Sequence, residues 1–133
     1  RKLRDGKDVA VLTLGHIGND AALAIEELAS SAEDSSEAKL SVAHYDMRFL
    51  KPLDENILQE VAEKFSRIVT IEDGVRMGGF GSAVLEWMSD HGYHPQWKRL
   101  GITDDFIEHG KISEIREIFG LDKNSIQKSI LGE

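Results

Sequence analysis

The sequence predicts a three-layer α/β/α domain built on a mostly parallel sheet, and three observations lead there. Val9-Ala10-Val11-Leu12-Thr13-Leu14 is almost continuously apolar, as a strand covered on both faces must be. Short β-favouring runs then alternate with stretches of helical periodicity in the order β-α-β-α-β-α-β-α-α, which is the order of βαβ units. Finally, Ile68-Val69-Thr70-Ile71-Glu72-Asp73 passes through a glycine-rich turn into Ser82-Ala83-Val84-Leu85-Glu86-Trp87-Met88. That is strand, turn and helix in succession.

Each element has its local reason. Residues 1–4 read as the end of a strand, and Asp5-Gly6 as a tight turn. After the apolar strand, residues 15–20 form a loop in which Asn19 or Asp20 caps a helix. Ala21, Ile25, Leu28, Ala29 and Ala32 recur at helical spacing. Residues 33–37 are a polar connection, and residues 40–45 are the next strand. Pro52 holds the residue before it extended. Asp54 reads as an N-cap, with Leu53 and Leu58 spaced for a hydrophobic staple. Ile57, Leu58, Val61 and Phe65 share one helix face. Gly92 ends the helix that begins at Ser82. Residues 97–102 are mixed in polarity and read as an edge strand. Ser113 caps a short helix carrying Ile115, Ile118 and Phe119, closed by Gly120. Asp122 starts a last helix with Ile126, Ile130 and Leu131. The crossovers are expected to be right-handed.

Composition sets the class. A chain of 133 residues buries roughly two-thirds of its unfolded surface as a single domain. The 41% hydrophobic and 30% charged fractions are those of a globular protein. A net charge of −8 without a basic stripe argues against nucleic acid as a partner. With no cysteine, disulfides, thiolate metal sites and thiol nucleophiles are excluded. No apolar run approaches about 20 residues, so no membrane is expected and the expected location is cytoplasmic. The chain opens at Arg1-Lys2-Leu3-Arg4 without an initiator methionine, which suggests a piece of a longer one.

In a sheet of this kind ligands sit beyond the carboxyl ends of the strands. The loops there carry His16, Asp46, Arg48, Lys51, Glu72, Asp73, Arg76 and the glycines. No nucleophile–base pair, carboxylate pair or metal-ligand spacing stands among them, so no catalytic, cofactor or metal residue is assigned. Ser82 lies in Gly-Phe-Gly-Ser-Ala and not in a Gly-x-Ser-x-Gly elbow. Glu72 and Asp73 are neighbours on a strand and point to opposite faces. His91 and His94 read as surface residues flanking a helix end. Arg48, between Asp46 and Lys51, reads as part of a loop-fixing ion pair. Gly78-Gly79-Phe80-Gly81 lacks the lysine and Ser/Thr of a P-loop and the Gly-x-Gly-x-x-Gly spacing. Two readings stay open for it. One is an anion cradle on a helix N-terminus; the other is a turn that packs against another surface. The second is preferred, because Glu72 and Asp73 would repel an anion unless Arg76 offsets them. The candidate anion or domain-docking surface is therefore His16, Arg48, Glu72, Arg76, Gly78, Gly79 and Gly81.

Four words in order carry a resemblance: Asp46-Met47-Arg48-Phe49-Leu50-Lys51-Pro52-Leu53-Asp54; Thr70-Ile71-Glu72-Asp73-Gly74 with Met77-Gly78-Gly79-Phe80-Gly81-Ser82; Leu100-Gly101-Ile102-Thr103-Asp104-Asp105-Phe106-Ile107-Glu108-His109-Gly110; and Gly120-Leu121-Asp122. Together they closely resemble the C-terminal domain of the 1-deoxy-D-xylulose-5-phosphate synthase family, within the transketolase-like, thiamine-diphosphate-dependent enzymes. The first word alone marks only the wider superfamily, including the β subunits of 2-oxoacid dehydrogenases, and the third narrows it. Thr103 departs from the proline usual there. The resemblance implies a five-stranded sheet in the order 1-3-2-4-5, its first strand antiparallel and formed by residues 1–4. It implies a switch point between residues 9–14 and 68–71, with His16 and the Glu72–Gly81 loop flanking one crevice. It implies thiamine diphosphate and magnesium in two preceding domains of a homodimeric synthase, and no catalytic residue in this chain.

Overall fold

In a computed structural model of the chain, the described residues are 1–32, 40–48, 53–72, 79–101 and 121–132. The elements run β1 (Lys2–Arg4), β2 (Val9–Leu14), α1 (Ile17–Ala32), β3 (Val42–Asp46), α2 (Glu55–Lys64), β4 (Arg67–Glu72), α3 (Gly79–Asp90), β5 (Gln96–Leu100) and α4 (Lys123–Leu131). One five-stranded sheet has the order β1-β3-β2-β4-β5. β1 pairs antiparallel with β3, and the other pairings are parallel. The expected order and the antiparallel edge strand are both present.

Side-chain alternation along β2 separates two cores. Val9 and Val11 join Ile17, Ala21 and Ile25 of α1 and Ile126 and Ile130 of α4 on one face. Ala10 and Leu12 join Leu58 and Val61 of α2 and Phe80, Val84 and Met88 of α3 on the other. The sheet is thus covered on both sides, which is why β2 has no polar face to show. Gly6 carries the chain from β1 towards β2 against β3. A Cβ there would strike the backbone of Val42 and Ala43, so only glycine passes.

The elements are tied at their ends. Asp54 caps α2, its Oδ1 accepting from the amides of Asn56 and Ile57 at 3.1 and 3.2 Å. Leu53 and Leu58 lie in the same core, as a staple requires. Asp122 caps α4 through Ser125. At the other end of α4, Arg67 Nη2 donates to the Ser129 carbonyl at 2.8 Å, a cation where the helix dipole favours one. Lys2 bridges β1 to α2 through Glu60, which Lys64 also contacts.

Several details differ from the sequence-based expectation. α1 begins at Ile17, before Asn19 and Asp20, so neither is its cap. Gly15, at φ 95°, turns the chain straight off β2, and the Gly18 and Asn19 amides close on the Gly15 and His16 carbonyls. That drops Ile17 into the core within three residues of the strand. α3 begins at Gly79, so Gly79 and Gly81 are helical and not part of a preceding turn. Leu131 is 46% exposed, on the outer side of α4. The strands expected at 40–45 and 97–102 occupy Val42–Asp46 and Gln96–Leu100. The short helix expected after Ser113 lies outside the described residues.

Candidate functional site

The switch point falls between β2 and β4, where the chain's crossovers reverse direction across the sheet. Leu14 and Glu72 are register partners at the carboxyl ends of these strands. His16 follows two residues beyond Leu14 and is exposed.

Beyond β3 the chain is held by its own polar groups. The Met47 amide donates to the Thr13 carbonyl at 2.9 Å, extending the ladder, and its side chain is buried. Arg48 then turns into the left-handed region at φ 57°, and its amide donates to Asp46 Oδ1 at 3.1 Å. A non-glycine residue seldom adopts that conformation, and here a side-chain acceptor two residues back satisfies the amide. The contact between Asp46 and Arg48 therefore runs through the arginine backbone, which leaves the guanidinium at the exposed edge.

Beyond β4, Glu72 is only 5% exposed. Its Oε2 accepts from the Phe80 amide at 3.1 Å and its Oε1 from the Gly81 amide at 3.4 Å. These are the second and third residues of α3, whose amides an N-cap side chain ordinarily takes. A carboxylate there also meets the positive end of the helix dipole. Glu72 thus occupies the Phe80 and Gly81 amides, two donors that an anion at this helix end would use. Gly81 lets α3 come this close. A Cβ on it would stand 2.9 Å from Arg99 Cγ and Cδ and 3.0 Å from Thr70 Oγ1. The Thr70 hydroxyl beneath is buried and has no hydrogen-bond partner among the described residues. Gly101, after β5, borders the Glu72 side chain from the other side, its Cβ position 3.4 Å from Glu72 Cγ.

Of the residues picked from the sequence, Glu72 and Gly81 come together in one contact, and Gly79 is the first residue of the same helix. His16 and Arg48 sit at the same sheet edge on the ends of β2 and β3. Arg76 and Gly78 lie outside the described residues. His91 and His94 are exposed, and the His91 ring stacks on Trp87 at 4.0 Å. Sequence reasoning missed His44. It is buried on β3, with Nε2 hydrogen-bonded to Thr13 Oγ1 at 2.9 Å, and burial pushes its pKa down to about 4. The only local sign was a histidine set in an otherwise apolar strand. It missed Arg99 over Gly81 as well, since nothing local links them.

Among the described residues no group of three or more His, Asp and Glu is placed to share a metal ion. No helix among them is long and apolar enough to cross a membrane.

Comparisons with known proteins agree with this architecture. The 1-deoxy-D-xylulose-5-phosphate synthase of Parabacteroides distasonis is 52% identical over 133 residues, covering 100% of this chain and 20% of its own length. That of Bacteroides thetaiotaomicron is 53% identical over 131 residues, covering 98% of this chain and 19% of its own. The chain therefore spans about a fifth of these relatives. Among solved structures, one described as a split gene transketolase, inactive beta4 tetramer, superimposes with a TM-score of 0.82 and 29% identity over 99% of this chain and 41% of that one. The family model for the C-terminal domain of transketolase matches residues 1–126, so nearly every element described above falls within it, and the chain belongs to that family.

Proposed function

We propose that the chain is the C-terminal domain of a 1-deoxy-D-xylulose-5-phosphate synthase, and that it serves by docking and not by chemistry. One observation carries this reading. Synthases match the chain at about half identity from end to end, while it spans only a fifth of each. The whole protein would be a cytoplasmic, homodimeric transferase. It would condense pyruvate with glyceraldehyde 3-phosphate to 1-deoxy-D-xylulose 5-phosphate and carbon dioxide, a precursor step for isoprenoids, thiamine and pyridoxal phosphate. Thiamine diphosphate and magnesium would supply the carbanion chemistry from the preceding domains. No step is routed through this chain's residues.

The carboxyl edge is the docking surface in this reading. His16 and Arg48 are exposed there, and Glu72 already accepts from the Phe80 and Gly81 amides of α3. Such an edge offers polar groups to a protein neighbour, and the Phe80 and Gly81 amides are already taken.

The test is a coupled assay with pyruvate, glyceraldehyde 3-phosphate, thiamine diphosphate and magnesium. The chain alone should give no product, and the same chain joined to the preceding domains should turn over. Product from the chain alone would overturn the reading. Phosphate titration followed by amide shifts separates docking from anion binding. Saturable shifts confined to His16, Gly79, Gly81 and Ser82 at millimolar phosphate would replace the docking surface by an anion site.

A further inference from the structure

On the α1 side of the sheet, the edge strand β1 is left partly uncovered. Leu3 of β1 is 42% exposed there. A pocket of about 170 Å³ opens between β1 and α1, lined by Leu3, Arg4, Ala22, Ile25, Glu26 and His44. Its parts are chemically distinct. Leu3, Ala22 and Ile25 give apolar walls. Ile25 and His44 are its buried lining residues, the His44 Nε2 tied to Thr13. Arg4 and Glu26 are the two exposed charges, one on each wall. Neither is engaged in an ion pair among the described residues.

We propose that this pocket binds a small apolar α-amino acid. Arg4 takes the carboxylate, Glu26 takes the ammonium, and the side chain lies against Leu3, Ala22 and Ile25. Three arguments select that class. The volume is well below the roughly 300–1,000 Å³ of sites for drug-sized ligands, which excludes a nucleotide or a sugar phosphate. Two uncommitted charges of opposite sign on facing walls complement a zwitterion better than an anion or a cation. The apolar walls between them favour a short branched side chain over a polar one. The imidazole in the lining is neutral at physiological pH, so it adds no third charge to upset the balance. The site lies on β1, β3 and α1, away from the Glu72–Gly81 contact, and does not depend on the docking reading above.

The experiment uses the isotope-labelled chain and L-valine as the probe, followed by amide and methyl shifts. Saturable shifts of Leu3, Ala22, Ile25 and the His44 ring are expected, with a dissociation constant on the order of millimolar, as befits so small a ligand. Isovalerate lacks the ammonium and isobutylamine lacks the carboxylate, so each should bind at least about tenfold more weakly. Arg4→Gln and Glu26→Gln alter exposed side chains and leave the core intact, and each should weaken L-valine by a similar factor. Absence of saturable shifts overturns the proposal. So does equal binding of either analogue, or unchanged binding in both variants.

Discussion

Glu72 caps a helix to which it does not belong: its Oε2 accepts from the Phe80 amide at 3.1 Å, across eight residues of sequence. A strand-end carboxylate thereby joins β4 to α3 at the switch point. Glu72→Ala removes the acceptor for two helix amides and should cost about 1–2 kcal/mol, the size of a lost cap. Glu72→Gln keeps an acceptor but loses the charge facing the helix dipole, so it should cost less. Urea denaturation measures both, and an unchanged midpoint for Glu72→Ala would mean that the contact contributes nothing.

Asp54 performs the same task locally. Its carboxylate accepts from Asn56 and Ile57 at the start of α2. Asp54→Ala should lower stability by about 1 kcal/mol, while Asp54→Ser should keep most of it. The comparison of the two denaturation midpoints is the check.

Gly81 is under opposing demands. Alanine gains about 1 kcal/mol over glycine as a helix former, but its methyl would press on Arg99 and on the Thr70 hydroxyl. Overpacking of this kind costs about 1–3 kcal/mol, so Gly81→Ala should destabilise on balance. Arg99→Ala frees one side of that space. In a double-mutant cycle, Gly81→Ala should be milder in the Arg99→Ala background. Additive effects would show that Arg99 is not the obstacle.

His44 should make stability depend on pH. Its folded-state pKa is pushed from 6.5 down to about 4 by burial, with the nearby Asp46 charge pulling weakly the other way. The unfolded chain therefore takes up the proton first. The stabilising effect of a neutral His44 is fully present above pH 6.5 and is lost as pH falls towards 4, by about 3 kcal/mol across that window. Stability of the parent and of His44→Gln, measured between pH 7 and pH 4, tests this. The variant should show a shallower fall, and parallel curves would place the titration elsewhere.

Much of this fold could be read from local pattern. The apolar run of β2, the helical spacing around Ile25 and around Leu58, and the Asp54 cap each express physics that acts within a turn or a pleat. Sheet order came from resemblance, since strand pairing is not written in any one segment. The tertiary structure alone decided that α3 starts at Gly79, because its cap arrives from β4 and not from the preceding residue. It alone decided why Gly81 must be glycine, since Arg99 and Thr70 reach that point from two other strands. It alone paired His44 with Thr13, 31 residues apart. Periodicity reports which face a residue presents, whereas a hydrogen bond or a close approach depends on which distant residue packing brings to that face.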